Sequence, residues 1–147
     1  ESIYGGWPAS GEIDLVEIRG DNMQEILSTI HYGSDPSNHK YQGGTYLLSQ
    51  SNNLNEVFHE LSFIWEENSM KFILDNEFTV FEITSNQIGF DENYPFNEIF
   101  YLIINVAVGG NFVGNYVNNN DLCYAANAAN CSDNKRLLID WVKYETL

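Results

Sequence analysis

Short runs rich in Ile, Val, Phe, Tyr and Thr recur along this chain between clusters of Asn, Gly and Ser: EILSTIHY, EVFHELSFIW, MKFILD, EFTVFEI, EIFYLIINVAV and RLLIDWVKYE. β-branched and aromatic side chains suit a pleated surface, and Gly and Asn end each run in a turn, so the pattern predicts an all-β fold. In VFHELSFIW, Val57, His59, Leu61, Phe63 and Trp65 alternate with Phe58, Glu60, Ser62 and Ile64, which leaves both faces partly apolar and predicts a strand inside a sandwich. Asp75-Asn76 between MKFIL and EFTVFEI predicts a hairpin turn. IFYLIINVAV is almost continuously apolar and ends in Gly109-Gly110, as expected of a central strand covered on both faces. The Asn-rich stretch from Gly109 to Lys135 lacks any sustained period and reads as a long loop, with a short helix at YAANAAN as one option.

With 147 residues, 44% of them hydrophobic, the chain can bury one core, and nothing reads as a second domain. Its 21 acidic residues against 6 basic ones give a formal charge of -15, which repels nucleic acid and anionic membranes and favours an uncharged partner. No apolar run is long enough to cross a bilayer, and a secretion signal would have to lie upstream of these residues. Cys123 and Cys131 could close a small loop as a disulfide or remain two thiols, and both readings stay open.

The stretch GWPASGEIDLVEIRG carries the chemistry. Strand alternation puts Glu12 and Asp14 on one face and Glu17 on the other. A β-bulge between Asp14 and Glu17 adds one residue and returns Glu17 to the face of its partners. Three carboxylates that close cannot all ionise freely, so at least one pKa should rise, as an acid/base pair requires. Two carboxyl groups about 5 to 5.5 Å apart are the apparatus of retaining glycoside hydrolysis. A calcium loop and a plain acidic face are the alternatives, and Ile13, Leu15, Val16 and Ile18 favour a strand over a calcium loop.

WPASGEIDLVE resembles the signature of glycoside hydrolase family 16 in its laminarinase-type branch, whose E-x-D-x-x-E pattern contains the bulge. The resemblance continues through TIHYG, SFIWEENSMKFILDNE, FYLIINVAVGGNFVG and LLIDWVKYE, over essentially the whole chain and in family order. It implies a jelly-roll β-sandwich of two antiparallel sheets with a concave cleft, of which residues 1–147 form the C-terminal part of a single catalytic domain. The strands expected upstream would come from the protein's own N-terminal fragment or from a second copy.

On the matching positions, the resemblance implies that Glu12 is the nucleophile, Glu17 the general acid/base and Asp14 the helper between them. It also implies that Trp7 walls a sugar subsite, that His31 lies near the leaving group, and that Asn105 sits on the cleft floor. Phe112, on the Gly-rich loop, could edge a subsite or anchor that loop, whereas Trp65 and Trp141, within alternating runs, are expected in the core. No cofactor is implied for catalysis. Asp140 matches an aspartate that helps hold a structural calcium in many members. The implied activity is secreted endo-hydrolysis of β-1,3-glucan such as laminarin. The alternatives are the same mechanism on agarose, carrageenan or porphyran, and a non-catalytic glucan-recognition fragment.

Overall fold

A computed structural model describes residues 3–50, 54, 57–88, 94–114 and 137–146. Two compact units emerge, Glu1–Tyr101 and Leu102–Leu147. The first contains two antiparallel three-stranded sheets and one single-turn helix, so the described structure is nearly all β, as expected.

The first sheet has the order β1 (Glu12–Arg19), β2 (Asn22–Tyr32), β3 (Lys40–Leu47). Alternation along β2 buries Ile26, Ser28, Ile30 and Tyr32, and leaves Glu25, Leu27, Thr29 and His31 on the open face. Tyr41, Gly43, Thr45 and Leu47 continue that open face on β3. The second sheet has the order β4 (Leu61–Glu66), β5 (Ser69–Leu74), β6 (Phe78–Thr84), with helix α1 (Ser85–Ile88) after it. Met70, Phe72 and Leu74 of β5 and Val80 and Ile83 of β6 join Ile26, Ile30, Tyr32 and Phe96 in one buried core. Gly44 is required where the sheets meet, because a Cβ there would collide with the Val80 carbonyl of β6. Asp75 and Asn76 form the expected tight turn between β5 and β6, with φ of 54° and 57°. Positive φ at both central residues gives the twist that a two-residue hairpin needs, and Asp and Asn tolerate it better than most residues.

Five expectations need correction. The strand expected from Val57 begins only at Leu61, because His59 turns its ring inward to meet the Asp75 carboxylate at 2.8 Å. Among the described residues β4 borders its sheet, and Ile64 and Trp65, expected inside a sandwich, are 38% and 37% exposed. Trp65 therefore covers the core margin, packing on Phe63 and Phe100 and donating Nε1–H to the Phe96 carbonyl at 3.1 Å.

In the second unit, Leu102–Val108 carry no strand ladder and are exposed, in place of the expected doubly covered central strand. Trp141 is 57% exposed, in place of the expected core position. The physical reason is common to both. An apolar run becomes a buried strand only when neighbouring strands take its backbone groups and a facing layer takes its side chains. Neither is present among the described residues of that unit. Cys123, Cys131 and the YAANAAN segment lie outside the described residues.

Phe72 is 2% exposed and sits between Phe63 and Phe81, at ring-centroid distances of 4.8 and 5.5 Å. Phe72→Ala is expected to destabilise the chain by about 3 to 5 kcal/mol, read as a lower urea midpoint at unchanged slope. A loss under about 1 kcal/mol would contradict this two-sheet core.

Candidate active site

The three carboxylates lie together on the open face of the first sheet. Glu12 pairs with His31, Asp14 with Thr29 and Glu17 with Leu27, and the ladder is irregular between Asp14 and Glu17, as the bulge predicts. Two residues, Leu15 and Val16, occupy the interval that one residue, Ser28, spans on β2. Ser28 is fully buried and donates its hydroxyl to the Leu15 carbonyl at 2.9 Å, so a side chain supplies a partner inside the disturbed ladder. Gly43 lies across from Thr29, and a Cβ there would come within 2.5 Å of the Ser28 carbonyl and 3.0 Å of Thr29 Oγ1. Its absence keeps the sheet floor low beside Asp14.

Around Glu12 the polar contacts are close. Trp7 donates Nε1–H to Glu12 Oε2 at 2.7 Å, and His31 Nε2 lies 3.2 Å from Asp14 Oδ2. Burial, followed by the charges of Glu12 and Glu17, pushes Asp14 up to about 7. Burial and the Glu12 charge also raise Glu17, partly offset by a hydrogen bond with Thr29. His31 is held below its ordinary value, chiefly by burial, with Glu12 opposing and His39 reinforcing the shift. With His31 held below its ordinary value and Asp14 raised to about 7, the Asp14–His31 contact near neutral pH is a hydrogen bond rather than a full ion pair. Glu12, Asp14 and His31 also bring possible metal-ligand atoms within 4.8 Å of one another. Those atoms are already engaged by hydrogen bonds, an arrangement suited to sharing protons.

Two aromatic side chains absent from the sequence reading complete the site. The rings of His39 and Trp7 lie 4.6 Å apart, and those of His39 and His31 meet nearly coplanar at 5.0 Å. Tyr41 packs within 5.9 Å of both histidines and is 68% exposed. The alternation His39-x-Tyr41 entering a strand was a usable signal. What it could not show was that this strand pairs Tyr41 with His31. The expected residues Trp7, Glu12, Asp14, Glu17 and His31 are thus assembled in one unit. Asn105, Phe112 and Asp140 belong to the other unit, where all three are exposed. Because its segment is exposed, Asn105 does not carry the burial cost that an apolar strand would impose on an amide.

The family model for glycosyl hydrolases family 16 matches residues 3–143. The chain belongs to that family. This family 16 chain is 39% identical over 119 residues to glucan endo-1,3-beta-glucosidase A1 of Niallia circulans, covering 78% of the chain and 17% of that protein. It is 40% identical over 119 residues to glucan endo-1,3-beta-glucosidase of Cryptopygus antarcticus, covering 77% and 43%. It thus spans less than half the length of either relative. Among solved structures, the laminarinase catalytic domain of Thermotoga maritima superposes with a TM-score of 0.62 at 29% identity, covering 74% of this chain and 43% of that one. The all-β architecture is accordingly that of the family 16 β-sandwich.

Asp14 gives a stability test with a definite sign. Its folded pKa lies above the ordinary value of 3.8, so the folded chain holds a proton that the unfolded chain has lost between about pH 4 and 7. Stability from this group therefore falls as pH rises through that window. Asp14→Asn should be more stable than wild type at pH 8, with the advantage shrinking towards pH 4, as measured by melting temperature across pH. Ser28→Ala should cost about 1 to 3 kcal/mol by leaving the Leu15 carbonyl without this donor, as measured by urea unfolding.

Proposed function

We propose that this chain forms the catalytic part of a retaining endo-β-1,3-glucanase acting on laminarin-like glucan. The observation that supports the reading most directly is the bulge, which turns Glu12 and Glu17 of one strand towards the same open face. Glu12, accepting a hydrogen bond from Trp7, attacks the anomeric carbon. Glu17 enters in its protonated form, favoured by its raised pKa, and gives its proton to the departing glycosidic oxygen. The glycosyl–Glu12 ester then meets a water whose proton passes to the Glu17 carboxylate. Hydroxide delivered on the same face restores the original configuration and frees Glu12. Asp14 hydrogen-bonds Glu12 and steadies its charge.

Trp7, 47% exposed, offers ring area to a sugar, with His31 beside it. In the other unit, exposed Asn105 and Phe112 are proposed as sugar contacts on the family resemblance alone. Arg19 is engaged by Glu25 at 2.9 Å and by Asp21 at 3.7 Å, so its charge is not free to meet a sulfate or carboxylate. With the net charge of -15, this favours a neutral glucan over an anionic polymer. Secretion would place the enzyme with its polymeric substrate. The family match running through both units supports their reading as parts of one catalytic domain. The exposed apolar side chains at residues 102–108 and 137–144 support a covering partner, whether the protein's own upstream segment or a second copy. The described residues group no further ligands with Asp140, and one carboxylate does not make a calcium site.

Reducing-end release from laminarin, run beside lichenan and agarose, tests the assignment. Glu12→Gln and Glu17→Gln should each lower kcat by roughly 10²- to 10⁴-fold. On an aryl glucoside whose leaving group departs without protonation, only Glu17→Gln should recover the first step, read as a burst of released phenol, because hydrolysis of the glycosyl ester still lacks its base. Near-normal laminarin turnover by Glu12→Gln would overturn the assignment.

A further inference from the structure

His39 stands outside the carboxylate motif, yet the local backbone is built to place it. The connection from β2 to β3 passes through Gly33, whose φ of 127° and whose closeness to the Asn38 carbonyl exclude a side chain. It then makes a single 3₁₀ turn, Pro36–Asn38, capped by Asp35. Asp35 accepts hydrogen bonds from the Ser37 amide, Asn38 Nδ2 and Ser34 Oγ, each at 2.8 Å. The turn delivers His39 just before β3, with its ring against both Trp7 and His31, whose own rings lie 6.3 Å apart.

His39 Nε2 is 2.8 Å from His31 Nδ1, and the opposite nitrogen of His31 is the one that meets Asp14. A neutral imidazole has one N–H and one lone pair, so the partner of one nitrogen decides what the other presents. If His39 donates to Nδ1, His31 must present Nε2–H to Asp14 Oδ2. Any proton on Asp14 is then left for its bond with Glu12. If His39 instead accepts, His31 presents a lone pair, and the Asp14 proton is drawn away from Glu12. The other groups facing this chain are Trp7, which donates to Glu12, Glu17 through its charge, and Tyr41 through its ring. The Trp7 bond and the first arrangement both direct donors towards Glu12.

We propose that His39 is a positioning residue that donates to His31 Nδ1, holds His31 in its Nε2–H form, and so reserves the Asp14 proton for Glu12. The catalytic part of this role rests on the functional reading above, whereas the tautomer does not. His39→Phe keeps a ring against Trp7 and His31 but removes the donor. His39→Gln restores an N–H donor without an ionisable ring.

With laminarin as substrate, His39→Phe should lower kcat about tenfold while KM changes less than about twofold, a loss in the range of supporting-partner removals at other sites. With the donor to Asp14 lost, the alkaline limb of kcat/KM should move up by roughly half a pH unit or more. His39→Gln should recover most of both. A raised KM with unchanged kcat and pH profile, or a Gln variant no better than Phe, would overturn the proposal. Ring-nitrogen NMR shifts of the glucan-free chain give a readout independent of turnover. His31 should be the Nε2–H tautomer in wild type and a mixture in His39→Phe. An Nδ1–H tautomer in wild type would overturn the proposal even in an active enzyme. If no laminarin were cleaved, the expected tautomer would uphold the His39 contact while the functional reading fell.

Discussion

One extra residue in β1 organises the site. Without the bulge between Asp14 and Glu17, strand alternation would send Glu17 towards the core side, where an ionised carboxylate cannot rest without a partner. With it, three carboxylates share an open face, and burial followed by their mutual repulsion raises Asp14 and Glu17 together. The bulge requires a disturbed ladder, and Ser28 meets that requirement from the buried side by donating to Leu15. One hydroxyl facing the core thus helps determine which acids lie on the open face.

The same division between faces runs through the first unit. Ile26, Ile30 and Tyr32 are buried against the second sheet, and their neighbours Leu27, Thr29 and His31 line the site. A one-residue slip of β2 would exchange these sets, so core packing and site geometry specify one register together. Gly43 and Gly44 show both sides of the constraint. The first leaves room next to Thr29, and the second lets the sheets approach. His39 arrives by a different route, through a capped turn whose geometry depends on Gly33 and Asp35 rather than on the ladder.

Much of this could be read directly from local pattern. Period-two alternation located β2, β5 and β6, and Asp75-Asn76 marked their hairpin, because these features depend on residues close in the chain. The E-x-D-x-x-E spacing predicted the bulge for the same reason, since three acids on an apolar strand admit few other arrangements. The apolar runs beyond residue 100 were less informative. Their expected ladder depends on neighbours elsewhere, and the exposed Leu102–Val108 and Trp141 show that apolar content does not itself make a central strand.

The sequence alone therefore determined the strand-forming character of the first unit, the carboxylate cluster and the family to which it points, all consequences of short-range spacing. Tertiary structure decided what surrounds those acids. Ser28 behind the bulge, Trp7 on Glu12, and His39 and Tyr41 beside His31 come from separate segments brought together by strand pairing and a capped turn. The proton states of Asp14, Glu17 and His31 were decided there too, because burial and neighbouring charge set a pKa, and both exist only once the sheets have packed.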